Sequence, residues 1–180
     1  MNEECRYREL IKYVAAQSIN DPFFGRTKLN KILFFCDFLA YRDLGKSISG
    51  DTYVKQPYGP VPTHIEKVFK QLIDTREMAV SVGVLGAYVQ NKPVALKTAD
   101  LGLFTPQEIS LIDHIIVNLW NSTAKDVSDL SHEFVGWSLA GMGEVIPYET
   151  VLLKESEVTP EDIEYGKTLL QELDLKVVAV

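Results

Sequence analysis

The stretch FGRTKLNKILFFCDFLAYRDLG, residues 24–45, carries apolar side chains at helical spacing around most of its circumference. One face holds Leu29, Ile32, Leu33, Cys36, Leu39 and Ala40, and the adjoining face holds Phe34, Phe35, Phe38 and Tyr41. Gly45 stands at the position where many helices end. Because a helix that is apolar on nearly all sides is normally buried, we predict that this segment is the central helix of the fold.

Asp37 interrupts the apolar run of this helix. Either its face of the helix is open to solvent, or Asp37 is a buried carboxylate that needs hydrogen-bond partners. Since buried polar groups usually cap or brace neighbouring segments, we expect a structural role for Asp37. We expect Cys36 to lie in the core, and with Cys5 it forms neither a disulfide framework nor a zinc ligand set.

Helical patterns recur on both sides of the central segment. They cover residues 5–18, 63–73, 107–120, a shorter stretch that begins at Ser122 or Thr123, and 159–173, which precedes an apolar tail. Thr63 and Glu66 have the spacing of a capping box, and so do Thr105 and Glu108, with Pro106 at the first helical position. We therefore predict helices that begin at these residues.

The valine-rich segment 78–97 changes to a strand-like pattern, with a turn predicted at residues 91–93. Together with residues 52–57 it is expected to form one small antiparallel sheet. No internal repeat or linker divides the chain. The predicted fold class is therefore α+β, a mostly helical single domain over residues 1–180 with a small antiparallel β-sheet.

The segment YVKQPYGPVPT, residues 53–63, places three prolines and a glycine between a strand and a helix. Two interpretations stay open. In the first, the prolines and Gly59 set the turn geometry while Tyr58 packs on Phe34 and Phe38. In the second, Tyr53, Gln56 and Tyr58 are held outward as preordered contacts for a partner, which would reduce the entropy lost on binding.

Charge is distributed unevenly along the sequence. Residues 1–76 carry 12 Lys and Arg against 9 Asp and Glu, whereas residues 77–180 carry 6 against 16. Nucleic-acid binding is therefore unfavourable in the second part. Its acidic residues form either a solvated face that aids solubility, which is the more common case, or a surface that suits a basic protein partner. With no run of about 18 apolar residues and no signal peptide at the start, we expect a cytoplasmic protein without a membrane partner.

The sequence shows no residue pattern that is typical of catalysis. The three histidines, His64, His114 and His132, are far apart and lack metal-ligand spacing, and His132-Glu133 does not continue into HExxH. No glycine-rich stretch completes a phosphate-binding motif. We therefore expect no enzyme activity, no metal and no cofactor.

Residues 27–72, TKLNKILFFCDFLAYRDLGKSISGDTYVKQPYGPVPTHIEKVFKQL, resemble the Panacea domain of the SocA-like antitoxin family. The resemblance is carried by Lys28-Leu29, Lys31-Ile32-Leu33, Phe35 to Leu39, Gly50-Asp51 and Pro57-Tyr58-Gly59-Pro60-Val61-Pro62. Weaker agreement follows at Ser131-His132-Glu133, Gly136-Trp137 and Ile146-Pro147-Tyr148-Glu149, so the resemblance extends over residues 8–150. Gly136 stands where the family pattern would have a proline. Residues 151–180 add a C-terminal helix and tail.

The resemblance implies a non-enzymatic antitoxin that neutralises a toxin encoded by an adjacent gene through direct protein contact. Some members of the family deliver the toxin to a protease, and some occur in prophages. On this basis we expect partner contacts at Tyr53, Gln56, Tyr58 and Trp137. The residues expected to have structural roles in the motif are Lys28, Asp37, Gly50, Asp51, Pro57, Gly59, Pro60, Pro62, Pro147 and Tyr148.

The predicted helices within residues 107–132 suggest an alternative from another class, a DNA-binding regulator with a helix-turn-helix. The charge pattern is unfavourable for this function. Lys125 is the only Lys or Arg between Asn121 and Val151, and five acidic residues surround it in sequence. Since a recognition helix needs cations to meet phosphates, nucleic acid is the less favoured partner.

Overall fold

The computed structural model describes residues 3–85 and 88–153. Its α-helices are α1 (Glu3–Gln17), α2 (Arg26–Leu44), α3 (Ile65–Asp74), α4 (Pro106–Asn118), α5 (Ala124–His132) and α6 (Val135–Leu139). Its strands are β1 (Tyr53–Gln56), β2 (Gly59–Pro62), β3 (Met78–Leu85), β4 (Tyr88–Ala95) and β5 (Val145–Ile146). Short 3-10 turns cover Leu101–Leu103 and Tyr148–Leu152. The α+β class and its mostly helical character are as predicted, whereas the helix predicted at 159–173 lies outside the described residues.

Helix α2 is the centre of the fold, as predicted. It contacts α1, α4, α5 and β2, and its apolar residues from Leu29 to Phe38 are buried. The thiol-bearing Cys36 is fully buried in this core. The helix ends at Gly45, which has a φ of 77° and donates its backbone N–H to the carbonyl of Tyr41.

The strands form two separate sheets, so the prediction of one sheet is wrong. Strands β2, β1 and β5 form an antiparallel sheet in that order, and β3 pairs with β4 in a hairpin. The turn predicted at 91–93 is also wrong, because these residues lie within β4. Pro93 lies opposite Val80. Because Leu96 and Glu77 form a hydrogen-bonded pair and such pairs alternate along the ladder, Val80 and Pro93 form a non-hydrogen-bonded pair. The strand therefore accommodates Pro93, which has no N–H to donate.

Capping boxes are present at the starts of α4 and α5, whereas the capping box predicted for α3 is absent. Thr105 and Glu108 cap α4 reciprocally, as predicted, and Thr123 and Asp126 cap α5. Thr63 does not cap α3, which begins at Ile65. The carboxylate of Asp51 instead accepts the backbone N–H of His64 at 3.1 Å, while Glu66 forms an ion pair with Arg26 at 2.7 Å. The predicted Thr63–Glu66 box is therefore wrong.

Asp37 is fully buried in α2 and connects this helix to the loop and strand that follow it. Its carboxylate accepts hydrogen bonds from the backbone N–H groups of Ile48 (2.8 Å) and Ser49 (2.7 Å), from the Ser49 hydroxyl and from the Tyr53 hydroxyl (2.6 Å). Burial raises the pKa of Asp37, and these four hydrogen bonds oppose that rise. The residue that interrupts the apolar pattern is therefore a buried brace.

We predict that Asp37→Asn lowers the free energy of unfolding by about 2–4 kcal/mol, because an amide NH₂ cannot accept hydrogen bonds from the hydroxyls of Ser49 and Tyr53. Urea denaturation followed by circular dichroism measures the loss. Asp43→Asn is the matched control on the same helix, since Asp43 is exposed and forms an ion pair with its neighbour Arg42. This control is expected to cost less than about 0.5 kcal/mol. Equal losses for the two variants would contradict the role assigned to Asp37.

Candidate functional site

The hairpin of β1 and β2 displays Tyr58 at its tip. Pro57 and Tyr58 form a two-residue turn between Gln56 and Gly59, which face each other across the hairpin. The Tyr58 side chain is 77% exposed, and Gln56 and Pro57 are exposed beside it. The interpretation in which Tyr58 packs on Phe34 and Phe38 is therefore wrong, and the structure places Tyr58 outward.

Tyr53 takes the packing position that was considered for Tyr58. It is 1% exposed, its ring centroid lies 5.6 Å from those of both Phe34 and Phe38, and its hydroxyl bonds Asp37. The expectation that Tyr53 contacts a partner is therefore wrong, because almost none of its ring is open. Strand periodicity could have separated the two tyrosines, since Tyr53 lies on the inward face of β1 and Tyr58 in the turn.

The face of the β2-β1-β5 sheet that points away from the core carries a row of valines. Val54 of β1 pairs with Val61 of β2 on one side and with Val145 of β5 on the other. Val145 is 52% exposed, Val54 is half-buried, and Val61 is half-buried because part of it packs against the core. We define the outer sheet face as Thr52, Val54, Gln56, Val61, Thr63 and Val145, none of which is charged. Sequence reasoning missed the valines, although each lies next to a buried residue in its strand.

Lys31 and Gly59 fix the hairpin against the helices. The buried ammonium of Lys31 donates to the carbonyl of Pro60 at 2.8 Å, and burial lowers the pKa of Lys31 to about 8. Gly59 has a φ of 96°, and a Cβ atom there would lie 2.3 Å from the Ser131 hydroxyl oxygen and 2.7 Å from Cε of Lys31. Only glycine therefore lets the strand approach α2 and α5 this closely.

Asp51 fixes the base of the same hairpin. Its carboxylate accepts hydrogen bonds from the backbone N–H of Thr52 (2.7 Å), from the Thr63 hydroxyl (2.9 Å) and from the backbone N–H of His64. The backbone carbonyl of Asp51 accepts a hydrogen bond from the Tyr148 hydroxyl. Asp51 therefore joins the start of β1 to the end of β2 and to the segment that follows β5.

The other motif residues support neighbouring segments. Lys28 is buried in an ion pair with Asp21 and donates to the carbonyl of Ser122 at 2.8 Å. Gly50 has a φ of 74°, which suits the loop that leads into Asp51. Pro60 and Pro62 lie opposite Lys55 and Tyr53, at positions where the hairpin needs no N–H. Exposed Pro147 precedes Tyr148, whose ring stacks on Tyr41 at 5.5 Å.

Trp137 is half-buried and braces α6 against its neighbours. Its ring stacks on His132 with centroids 3.9 Å apart, and the ammonium of Lys55 lies 4.0 Å from the ring centroid. The Lys55 ammonium also donates to the carbonyl of Ala140 at 3.0 Å. These contacts leave only part of Trp137 open to a partner, so its expected contact role stays a prediction.

Helices α4 and α5 follow each other as in a helix-turn-helix, but the next helix does not suit DNA. The five residues of α6 include Trp137, which packs on His132. On α5 the only Lys or Arg is Lys125, which pairs with Asp129, while Asp126 is also exposed. A negatively charged surface of this kind repels phosphates, so this alternative gains no support from the geometry.

Within residues 3–85 and 88–153 no group of three metal-ligating side chains is present, and no helix is long and apolar enough to cross a membrane. One Asp–His pair does occur, with Nδ1 of His64 2.7 Å from the Asp51 carboxylate. That carboxylate also holds the start of α3 and the Thr63 hydroxyl. The pair therefore has a structural role, and the outer sheet face with Tyr58 is the best candidate for function.

We predict that Gly59→Ala lowers the free energy of unfolding by about 2–4 kcal/mol, because it adds both a positive-φ penalty and a clash with Lys31 and Ser131. Gly143→Ala is the matched control. Gly143 has a φ of 80°, but a Cβ atom there would meet open space within 4 Å, so only about 1 kcal/mol is expected. Thermal and urea unfolding of both variants measure the difference. Equal costs would show that the close approach of the hairpin to Lys31 contributes nothing.

Comparison with known proteins assigns the chain to a family. A search of curated proteins and a search of solved structures each gave no match. The family described as "Antitoxin SocA-like, Panacea domain" matches residues 29–138. The match extends from α2 through the hairpin, α4 and α5 to α6, and it includes Tyr58, Gly59 and Trp137. Because it covers more than half of the sequence, the chain belongs to the SocA-like antitoxin family and contains its Panacea domain.

Proposed function

We propose that this protein is an antitoxin that neutralises a cognate toxin by binding it directly through Tyr58 and the outer sheet face. The single observation that carries this proposal is the display of a 77% exposed tyrosine at the tip of a braced hairpin, next to an uncharged apolar sheet face. Family membership supports an antitoxin role in general. The choice of surface rests on the geometry.

The construction of the hairpin favours binding by Tyr58. Pro57 has a fixed φ, Gly59 is held against Lys31, and Pro60 is bonded through its carbonyl. A side chain on such a rigid turn loses little conformational entropy when a partner orders it. Since tyrosine is among the residues that contribute most at interface hot spots, Tyr58 is placed to act as an anchor.

The outer sheet face has the composition of an interface centre. The row of Val54, Val61 and Val145 is apolar, and the neutral polar side chains of Thr52 and Thr63 lie at its end. Interfaces commonly combine an apolar centre with a polar rim, and charged residues are depleted at the centre. A toxin with an apolar patch would therefore bury these valines at little desolvation cost.

Charge gives a further property of the proposed partner. Helix α5 exposes Asp126 and Asp129, and Glu133 follows it. Acidic residues on the surface of a protein increase its association rate with a basic partner and reduce contact with acidic ones. We therefore propose a toxin with a basic rim, encoded by the adjacent gene and encountered in the cytoplasm, and neutralisation without enzyme activity.

The fate of the bound toxin separates two forms of this function. In the simpler form, binding blocks the toxin. In the other form, which the family resemblance implies, the antitoxin is an adaptor that delivers the toxin to a protease. The lifetime of the toxin in cells distinguishes the two, because only an adaptor shortens it.

We predict that co-expression with the neighbouring open reading frame restores growth to cells that the neighbour alone arrests. The reason is that a bound toxin cannot reach its target. Growth on plates with separately inducible promoters measures the rescue, and Tyr58→Ala in the same plasmid is the internal comparison. A neighbour that is harmless, or that stays toxic while this protein is soluble and abundant, would contradict the proposal.

For Tyr58→Ala we predict an unchanged thermal midpoint and toxin binding weakened by about 2 kcal/mol or more, because an exposed side chain contributes little to folding but an aromatic anchor contributes much to binding. Calorimetric titration with purified toxin measures the affinity. Val117→Ala is the control, since Val117 is 68% exposed on α4, away from the hairpin. Equal affinities of Tyr58→Ala and Val117→Ala would assign the toxin to another surface.

A further inference from the structure

The β3–β4 hairpin has a second apolar face, which the proposed toxin contact does not use. Val80, Val82 and Val84 alternate along β3, and Val89 lies opposite Val84 on β4. Their exposed fractions are 39%, 69%, 77% and 69%. The opposite face of β4 is held to the loop after α1, where the Lys92 ammonium donates to the carbonyls of Ile19 and Asp21. The valine face is therefore the one that points to solvent.

The hydrogen-bond alternation shows which backbone groups of β3 are unpaired. The N–H of Leu96 bonds the carbonyl of Glu77, so Glu77 and Leu96 form a hydrogen-bonded pair of the antiparallel ladder. It follows that Ala79, Ser81 and Gly83 bond β4, whereas the N–H and C=O groups of Val80, Val82 and Val84 point away from it. Within the described residues these outward groups have no backbone partner.

The two edges of this hairpin differ in their protection. The β4 edge contains Pro93, which has no N–H to donate, and Lys92. The β3 strand, MAVSVGVL, contains no charge and no proline. Natural proteins usually block an exposed edge strand with charges, prolines or bulges, because an open edge pairs with other strands. The β3 edge, which has no such block, is therefore free to pair with a further strand.

We propose that the edge of β3 pairs with β3 of a second copy of this chain, so that the two hairpins form one four-stranded antiparallel sheet across a two-fold axis. The sequence Val80-Ser81-Val82-Gly83-Val84 has its valines placed symmetrically about Val82. An antiparallel pair centred on Val82 sets Val82 opposite Val82 of the second copy, and Val80 opposite Val84. These are the residues whose N–H and C=O groups point outward, so every such pair forms both of its hydrogen bonds.

Charge restricts where two copies of this chain can meet. The chain carries a net charge of −7, so two copies repel each other over most of their surfaces. The β3 strand offers an uncharged contact, and pairing would extend the valine face over four neighbouring strands. A strand-edge contact is smaller than the roughly 1,200–2,000 Å² of a standard stable interface, so the dimer is expected to be weak and to dissociate on dilution.

Sedimentation velocity of the purified protein without toxin tests the proposal over roughly a hundredfold range of concentration, because the dimer fraction of a weak dimer rises with concentration. Val82→Lys sets two like charges opposite each other at the two-fold axis and is expected to raise the dimer dissociation constant at least about tenfold. Val89→Lys is the matched control, since Val89 is equally exposed on the same face but lies on β4. It is expected to leave the dimer nearly unchanged.

Cross-linking gives an independent test of the register. In a Cys5→Ser background, which removes the exposed thiol and keeps the buried Cys36, Val82→Cys is expected to form a disulfide dimer on mild oxidation. The Cα atoms of a hydrogen-bonded pair lie about 5.5 Å apart, within the range of a disulfide. Val89→Cys is expected not to cross-link.

A protein that stays monomeric at every concentration would overturn the proposal. Equal effects of the lysine or cysteine substitutions at Val82 and Val89 would also overturn it. Because these measurements need no toxin, their outcome is independent of the proposed antitoxin function.

Discussion

A carboxylate without solvent access lies at the middle of the most apolar helix, and the segment that follows the helix is arranged around it. Asp37 accepts four hydrogen bonds, from the backbone of Ile48 and Ser49 and from the hydroxyls of Ser49 and Tyr53. A buried carboxylate without such donors costs several kcal/mol, so the loop and β1 are strongly favoured in the positions that supply them. The need of Asp37 for hydrogen-bond donors therefore fixes the position of the loop at Ile48 and Ser49 and of Tyr53 in β1.

The consequences extend from this carboxylate to the surface. Tyr53 is held inward by Asp37, so strand alternation turns Val54 and Gln56 outward. Asp51 joins the two ends of the β1–β2 hairpin, and Lys31 binds its second strand near the tip. Asp51 and Lys31, which stabilise the hairpin, are buried, and of the displayed residues Thr63 bonds Asp51. The side chains of Val54, Gln56 and Tyr58 take no part in these hydrogen bonds, so substitutions at these three positions leave the bonds in place.

The sequence predicted the parts of the structure that depend on local patterns. The apolar circumference of α2, the glycine at its end and the Thr105 capping box are local signals, and each is present in the structure. The prediction at Thr63 failed because the Thr63 hydroxyl and the N–H of His64 both donate to Asp51, far outside the four-residue span that a local spacing rule considers. The prediction of one sheet failed because β1 pairs with β2 and β5, whereas β3 pairs with β4 in a separate hairpin. No local pattern indicates these partners, since β5 is only two residues long and pairs with β1 across about half of the chain.

The candidate site was predictable only in part. The proline-rich segment marked the hairpin, and Gln56 and Tyr58 are exposed as one interpretation required. Tyr53 was misplaced because the two tyrosines are equivalent in composition, and only the register of β1 with β2 and β5 separates them. The valines of the outer sheet face were missed for the same reason, since their exposure depends on a sheet formed by three segments, one of which is distant in sequence.

If the protein acts as proposed, the toxin covers the outer sheet face and Tyr58. Amide chemical-shift mapping of the labelled protein, with and without unlabelled toxin, is the sharpest test because every face of the molecule is observed at once. The largest changes are expected at Val54, Tyr58, Val61 and Val145. Large changes confined to other surfaces, with these four amides unaffected, would contradict the proposal.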